Sequence, residues 1–237
     1  MMMERLRMYR HSTNGCLITF CGLDGCGKTT MIKRLTERLE EDGIPVMLTK
    51  QPTEAVRRSD IFRTYMDMPD HSEYEYRSLS LLAASDRVQH VSKVILPALN
   101  AGKTVICDRY FYSCLANLCA RGYEGDKWIY EISESIIEPD AAFFLDVPVE
   151  TAISRVRARE SEKNRFIDTK LQYRLRDFYI AEAYLNRGIL LSTTESEEKT
   201  AHDVYLRAAE CIKRRKNDGT QGGASCATGS SEAAGKV

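Results

Sequence analysis

The sequence predicts an α/β fold with a parallel sheet covered on both faces, and three observations carry that expectation. Short runs that are mainly apolar alternate along the chain with amphipathic stretches. The runs show no alternation of apolar and polar residues, the pattern of strands buried on two faces. Each is separated from the next by a segment long enough for a crossover helix.

The first strand is CLITF (16–20), followed by a glycine-rich turn and a helix with Ile32, Leu35 and Leu39 on one face, ended at Gly43. VMLT (46–49) is the second strand. A long helix is predicted from Tyr74 to Asn100 with Val88, Val91, Ile95 and Leu99 as its stripe, and Pro97 should kink its last turn. TVIC (104–107) and AAFFLDV (141–147) are the third and fourth strands. Pro148 opens the helix that follows, where its missing N–H carries no penalty. ILL (189–191) is the fifth strand, and a last helix is expected over about 200–214.

At 237 residues the chain suits one such domain, over 15–215. Residues 1–14 are arginine-rich with no apolar segment, so a flexible arm is expected there rather than a secretory signal. Residues 216–237, rich in Gly, Ser and Ala, read as a disordered tail. Lys+Arg and Asp+Glu both total 34, so no global basic field points to nucleic acid or a membrane surface, and no apolar run is long enough for a span. The eight cysteines form no CxxC pair and the four histidines have no ligand spacing, which argues for a reducing, cytoplasmic compartment and against a structural metal.

The chemistry is concentrated in a few stretches. GLDGCGKT (Gly22, Leu23, Asp24, Gly25, Cys26, Gly27, Lys28, Thr29) fits GxxxxGK[ST] between a strand and a helix, with Thr30 next in line. Its glycines let backbone N–H groups wrap phosphate oxygens, Lys28 can reach the β- and γ-phosphates, and the Thr29 hydroxyl can ligate Mg²⁺. The expected fold is therefore the three-layer P-loop NTPase architecture with a five-stranded parallel sheet. Asp24 inside that loop would repel phosphates unless it faces a sugar hydroxyl or a cation. Asp108 and Arg109 follow the third strand, on the ligand-binding edge of such sheets, where Asp108 could serve Mg²⁺ and Arg109 clamp an anion. RVRARESEKNR (155–165) offers Arg157, Arg159 and Arg165 as a lid over about 155–166, because the P-loop has no basic residue at its variable positions. Lys50, ending the second strand, can meet a second phosphate. In LLAASDRVQ, Asp86 turns away from the apolar stripe, while Arg87 lies on its margin one turn above Ala83.

With these residues in hand, the chain resembles the thymidylate kinases, a branch of the P-loop nucleoside monophosphate kinases, from about Leu17 to Ala209. GLDGCGKTT, TKQP, ASDRVQH, ILPALNAGKTVICDRYFYS and PDAAFFLDVPVETAISRVRAR stand in the family's order. The resemblance implies transfer of the ATP γ-phosphate to dTMP, with Mg²⁺ at Thr29 and Asp108. It places Lys50 and Arg109 on the acceptor phosphate, Asp24 near the acceptor sugar and Arg87 on the base. It further implies catalysis by lid arginines and a homodimer through the long helices. This sequence departs from the family at Ala83, where a phenylalanine usually stacks on thymine. It departs again at Asn117 and Leu118, where an aromatic and a polar residue are common, and at Lys50, which replaces an arginine. Phe111, Tyr112 or Tyr76 could fill the missing ring, or the acceptor base differs. A deoxynucleoside kinase and a catalytically idle nucleotide-binding protein are the competing readings.

Overall fold

The computed structural model describes residues 3–222. Five parallel strands, β1 (Cys16–Cys21), β2 (Val46–Lys50), β3 (Thr104–Asp108), β4 (Ala141–Asp146) and β5 (Ile189–Ser192), form one sheet in the order β2-β3-β1-β4-β5. The helices are α1 (Lys28–Glu41), α2 (Glu54–Arg57), α3 (Asp60–Asp67), α4 (Tyr76–His90), α5 (Leu96–Asn100), α6 (Tyr112–Ala120), α7 (Trp128–Ser133), α8 (Val149–Arg157), α9 (Thr169–Leu185) and α10 (Glu197–Gly222). α1 packs with α10, and α4 and α9 both pack on α6, giving the α/β architecture with helices on both faces that the sequence predicts.

The uniformly apolar strands divide by position. β1 is buried throughout, as is β4 up to Asp146 and β3 up to Asp108. β2 and β5 each pair on one side only, and Leu48 of β2 is 53% exposed. An apolar run alone does not separate a central strand from an edge strand.

The long helix predicted over 74–100 is interrupted. Between α4 and α5 lies one π-helical turn, Val91–Ile95, directly before Pro97. The proline has no N–H to give Lys93 and its ring crowds that carbonyl, so the widened turn takes up the strain a simple kink would otherwise carry. Val91, Ile95 and Leu99 still reach the core.

The expectation of a flexible N-terminal arm is overturned for residues 3–14. Leu6 is buried and its amide donates to Asn186 Oδ1 at 3.0 Å. Tyr9 bridges Ile137, donating to the Ile136 carbonyl at 3.0 Å and accepting from the Glu138 amide at 2.6 Å. His11 is buried against Asp140 at 3.0 Å. The arm's arginines face outward onto acids, Arg5 on Glu138 at 2.6 Å and Arg7 on Glu134 at 3.2 Å. Backbone pairing and one leucine hold it, and neither leaves a periodic trace in sequence. At the other end α10 continues through residue 222, beyond the expected 214, so residues 216–222 are helical rather than disordered. The rest of the expected disordered tail, 223–237, lies outside the described residues.

Candidate functional site

β1 sits between β3 and β4, so its carboxyl end opens at the middle of the sheet edge. The turn after it requires its glycines. Gly22 has φ 135°, and a Cβ there would meet the Leu145 carbonyl at 2.4 Å. Gly25 has φ 84°, and a Cβ would meet the Ala152 carbonyl oxygen at 2.2 Å. Any larger residue would push the loop off the sheet. Gly27 then leads into α1 with no side-chain cap, so the loop ends at an uncapped helix N-terminus. Lys28 folds back, its Nζ donating to the carbonyls of Gly22 at 3.0 Å and Leu23 at 2.8 Å.

In register, Phe20 of β1 and Lys50 of β2 both lie opposite Asp108 of β3. This brings Lys50 Nζ to 3.0 Å from Asp108 Oδ2 beside the loop. The other carboxylate oxygen of Asp108 is buried with no hydrogen-bond partner. Thr29 lines the same space. An unpartnered anionic oxygen beside a free hydroxyl fits a hard divalent cation such as Mg²⁺. Asp146, the comparable carboxylate at the end of β4, is instead held by Arg176 at 2.7 and 2.8 Å.

Arg109 follows with φ 66°, a conformation that few non-glycine residues adopt. Its guanidinium is ion-paired to Asp24 and donates to Tyr179 Oη at 3.1 Å, while the Tyr179 hydroxyl donates to Ser113 Oγ at 3.2 Å. Arg165 from the lid meets the second Asp24 oxygen at 3.0 Å. The cation expected to face Asp24 is thus a pair of arginines. Burial would raise this carboxyl's pKa, but Arg109, Lys28 and Arg165 outweigh it and hold it well below the usual range.

A cavity of about 710 Å³ runs from the P-loop past Arg109 to Arg87 on α4. Gly22, Leu23, Asp24, Gly25, Gly27, Lys28 and Thr29 line it, as do Lys50, Ala83, Arg87, Asp108, Arg109, Asn117, Arg159 and Arg165. Three residues expected in the site do not. Cys26 is buried behind the loop, where its carbonyl accepts from Thr193 Oγ1 at 2.9 Å. Thr30 borders a separate shallow hollow beside Lys33 and Arg34. Arg157 donates to the Lys163 carbonyl at 2.5 Å, because one residue per 100° of turn carries it to the outer side of α8. Arg155 braces the back of the loop through the Thr193 carbonyl at 3.0 Å.

Asp86 and Arg87 are not paired. Asp86 accepts from the Thr53 amide at 2.8 Å and from its hydroxyl, fixing the turn that leaves β2. Arg87 is 2% exposed, with Nη1 donating to the Ala83 carbonyl at 2.8 Å and Nε to the Tyr110 carbonyl at 3.4 Å. Of the rings suggested for the gap at Ala83, Phe111 and Tyr112 are fully buried in the core, and Tyr76 lines the cavity. Sequence reading missed Phe62 and Tyr65 on α3, which also line it. The signal was present. Phe62, Tyr65 and Met66 recur at i, i+3 and i+4, yet no residue of α3 is fully buried, so the stripe faces a cavity instead of a core. Arg121 and Tyr179 were missed as well, each being a single residue on an otherwise unremarked helix end or face.

Comparison with known proteins agrees with this geometry. The family described as thymidylate kinase matches residues 20–204. The chain is 37% identical over 202 residues to a probable thymidylate kinase of Pyrococcus horikoshii, covering 84% of this chain and 98% of that protein. It is 39% identical over 204 residues to the corresponding protein of Pyrococcus abyssi, with the same coverage. A thymidylate kinase of Bradyrhizobium is 34% identical over 206 residues, 81% of this chain and 88% of its own length. With the family model spanning residues 20–204 and relatives of 34–39% identity covering most of the chain, the chain belongs to the thymidylate kinase family.

Proposed function

We propose that this protein transfers the γ-phosphate of ATP to the 5′-phosphate of dTMP, giving dTDP. The observation that carries this reading is the single cavity joining the P-loop to Arg87, with Arg109, Arg159 and Arg165 lining the space between them. The loop amides and Lys28 hold the donor's phosphates. Arg109 and Lys50 take the acceptor phosphate, which replaces Asp24 and Asp108 as their partners. The two lid arginines close over the transferring group. Phosphoryl transfer leaves little covalent work to the protein, so positioning and charge neutralisation by these cations supply most of the catalysis. Mg²⁺ would be held by Thr29 and Asp108, and when bound it would neutralise charge on the donor's phosphate oxygens.

Asp24 would accept from an acceptor sugar hydroxyl once Arg109 turns to phosphate, with Lys28 among the cations that keep it ionised. A phosphorylated acceptor is favoured over a nucleoside because the acceptor side presents Lys50 and Arg109, while Gln51, an amide with no carboxylate to act as a base, is fully buried against His90 at 3.0 Å. A second copy of the chain would pack on α4 and the π turn after it, where Leu81, Leu82 and Val94 are 47%, 39% and 38% exposed. A cytoplasmic location suits the seven buried cysteines that are free among the described residues. The test is ADP release over a panel of nucleoside monophosphates and nucleosides. dTMP should be the best acceptor, and the reading fails if thymidine exceeds dTMP or if no monophosphate is turned over.

A further inference from the structure

We propose that Arg121 is a second reader of the acceptor base, donating from its free guanidinium edge to a carbonyl oxygen of that base beside Arg87. This rests on the reading of the site as a nucleoside monophosphate kinase. Arg121 stands at the end of α6, half-buried, and lines the base end of the cavity. Its guanidinium carbon lies 4.1 Å from the Tyr76 ring centroid and 6.0 Å from that of Tyr65, two rings that meet edge to face. Both rings therefore lie to one side of the guanidinium, and its N–H edge is left for a ligand. Nη1 is engaged by Asn117, at 2.8 Å to Oδ1 and 3.2 Å to the carbonyl. Nε and Nη2 keep three N–H donors.

Arg121 meets the neutral groups of Asn117 and Tyr76, and Arg87 the carbonyls of Ala83 and Tyr110. A half-buried cation with neutral partners gains most from a ligand that brings acceptors. Two guanidinium groups at one end of a cavity present only donors. They match a pyrimidine with a carbonyl at position 4 and leave a 4-amino group facing another donor, so the pair selects as well as holds. Asn117 then has a physical reason to stand where an aromatic is common in the family: it orients Arg121. Stacking is left to the rings of Phe62 and Tyr65, since Tyr76 already carries the Arg121 guanidinium, and edge recognition falls to the two arginines.

Steady-state kinetics with dTMP and with 5-methyl-dCMP, which differ at the 4-position, test this assignment. The wild type should prefer dTMP. Arg121→Ala should raise KM for dTMP about 10- to 100-fold, leave kcat and KM for ATP unchanged, and collapse the preference over 5-methyl-dCMP. Asn117→Ala, which frees the guanidinium without removing it, should raise KM for dTMP less and keep the preference. Should Arg121→Ala fail to fold, Arg121→Lys gives the same reading, since it keeps charge over Tyr76 but loses the fork and should lose much of the discrimination. An unchanged preference in the folded Arg121 variant overturns the proposal, as does an equal rise in KM for ATP. A wild type inactive on every monophosphate overturns the kinase reading itself, which is a different outcome.

Discussion

At the P-loop end of the cavity the lining groups come chiefly from one continuous stretch, Gly22–Thr29, with Lys50, Asp108, Arg109, Arg159 and Arg165 around it. At the base end they come from side chains on α3, α4 and α6, elements some 60 residues apart at their extremes. The first design tolerates almost no change, because a Cβ at Gly22 or Gly25 meets a carbonyl oxygen within 2.4 Å. The second can exchange one ring for another, since stacking needs a π face near the right plane and not a given residue. Ala83 is affordable for that reason.

The largest effect expected is at the phosphate end. Lys28→Ala should lower kcat by about 10³-fold while circular dichroism remains that of the folded protein. Retained turnover would remove the loop from catalysis. The lid sharpens the point, since Arg159 and Arg165 line the cavity and Arg157 does not. Arg165→Ala and Arg159→Ala should each lower kcat roughly 10²-fold, and Arg157→Ala should leave kcat close to wild type. The reverse order in single-turnover measurements would mean that the lid turns over on closing.

At the base end, Phe62→Ala and Tyr65→Ala should each raise KM for the monophosphate by roughly 10-fold, the scale of one lost stack, with KM for ATP unaffected. If neither changes KM, the rings on α3 do not cover the base and the gap at Ala83 is real.

The smallest effect lies away from both ends. Glu182 on α9 is fully buried, neither carboxylate oxygen has a hydrogen-bond partner, and burial raises its pKa well above the ordinary 4.5. The folded protein thus holds a proton that the unfolded chain releases above that pH. Its contribution is intact below about 4.5 and declines as pH rises toward the raised value. Glu182→Leu should increase stability by about 1–3 kcal/mol at pH 8 and flatten that decline in urea titrations. A destabilised variant would show that the carboxyl has a partner in solution.

The contrast between the two ends also explains what the sequence could reveal. Gly22–Thr29, Asp108 and Arg109 are fixed by chain-local geometry, a strand end followed by a turn, so their spacing is written in consecutive residues. Strand and helix order was legible for the same reason, because apolar periodicity is local. Phe62 and Arg121 line the cavity through the way α3 and the end of α6 meet across it, and no local spacing encodes that meeting. The docking of residues 3–14 onto Ile137 and Asn186 was hidden likewise, since it depends on backbone pairing with distant partners. Edge exposure of β2 follows from strand order, which crossover connections permit in more than one way. The π turn before Pro97 was half visible: the proline announced a distortion but not its form.

The most direct test of the two-ended site is the pair of KM values for Arg87→Ala. If Arg87 reads the acceptor base, KM for dTMP rises at least 10-fold while KM for ATP stays at the wild-type value. Equal increases in both would contradict the account and make Arg87 a structural residue of α4.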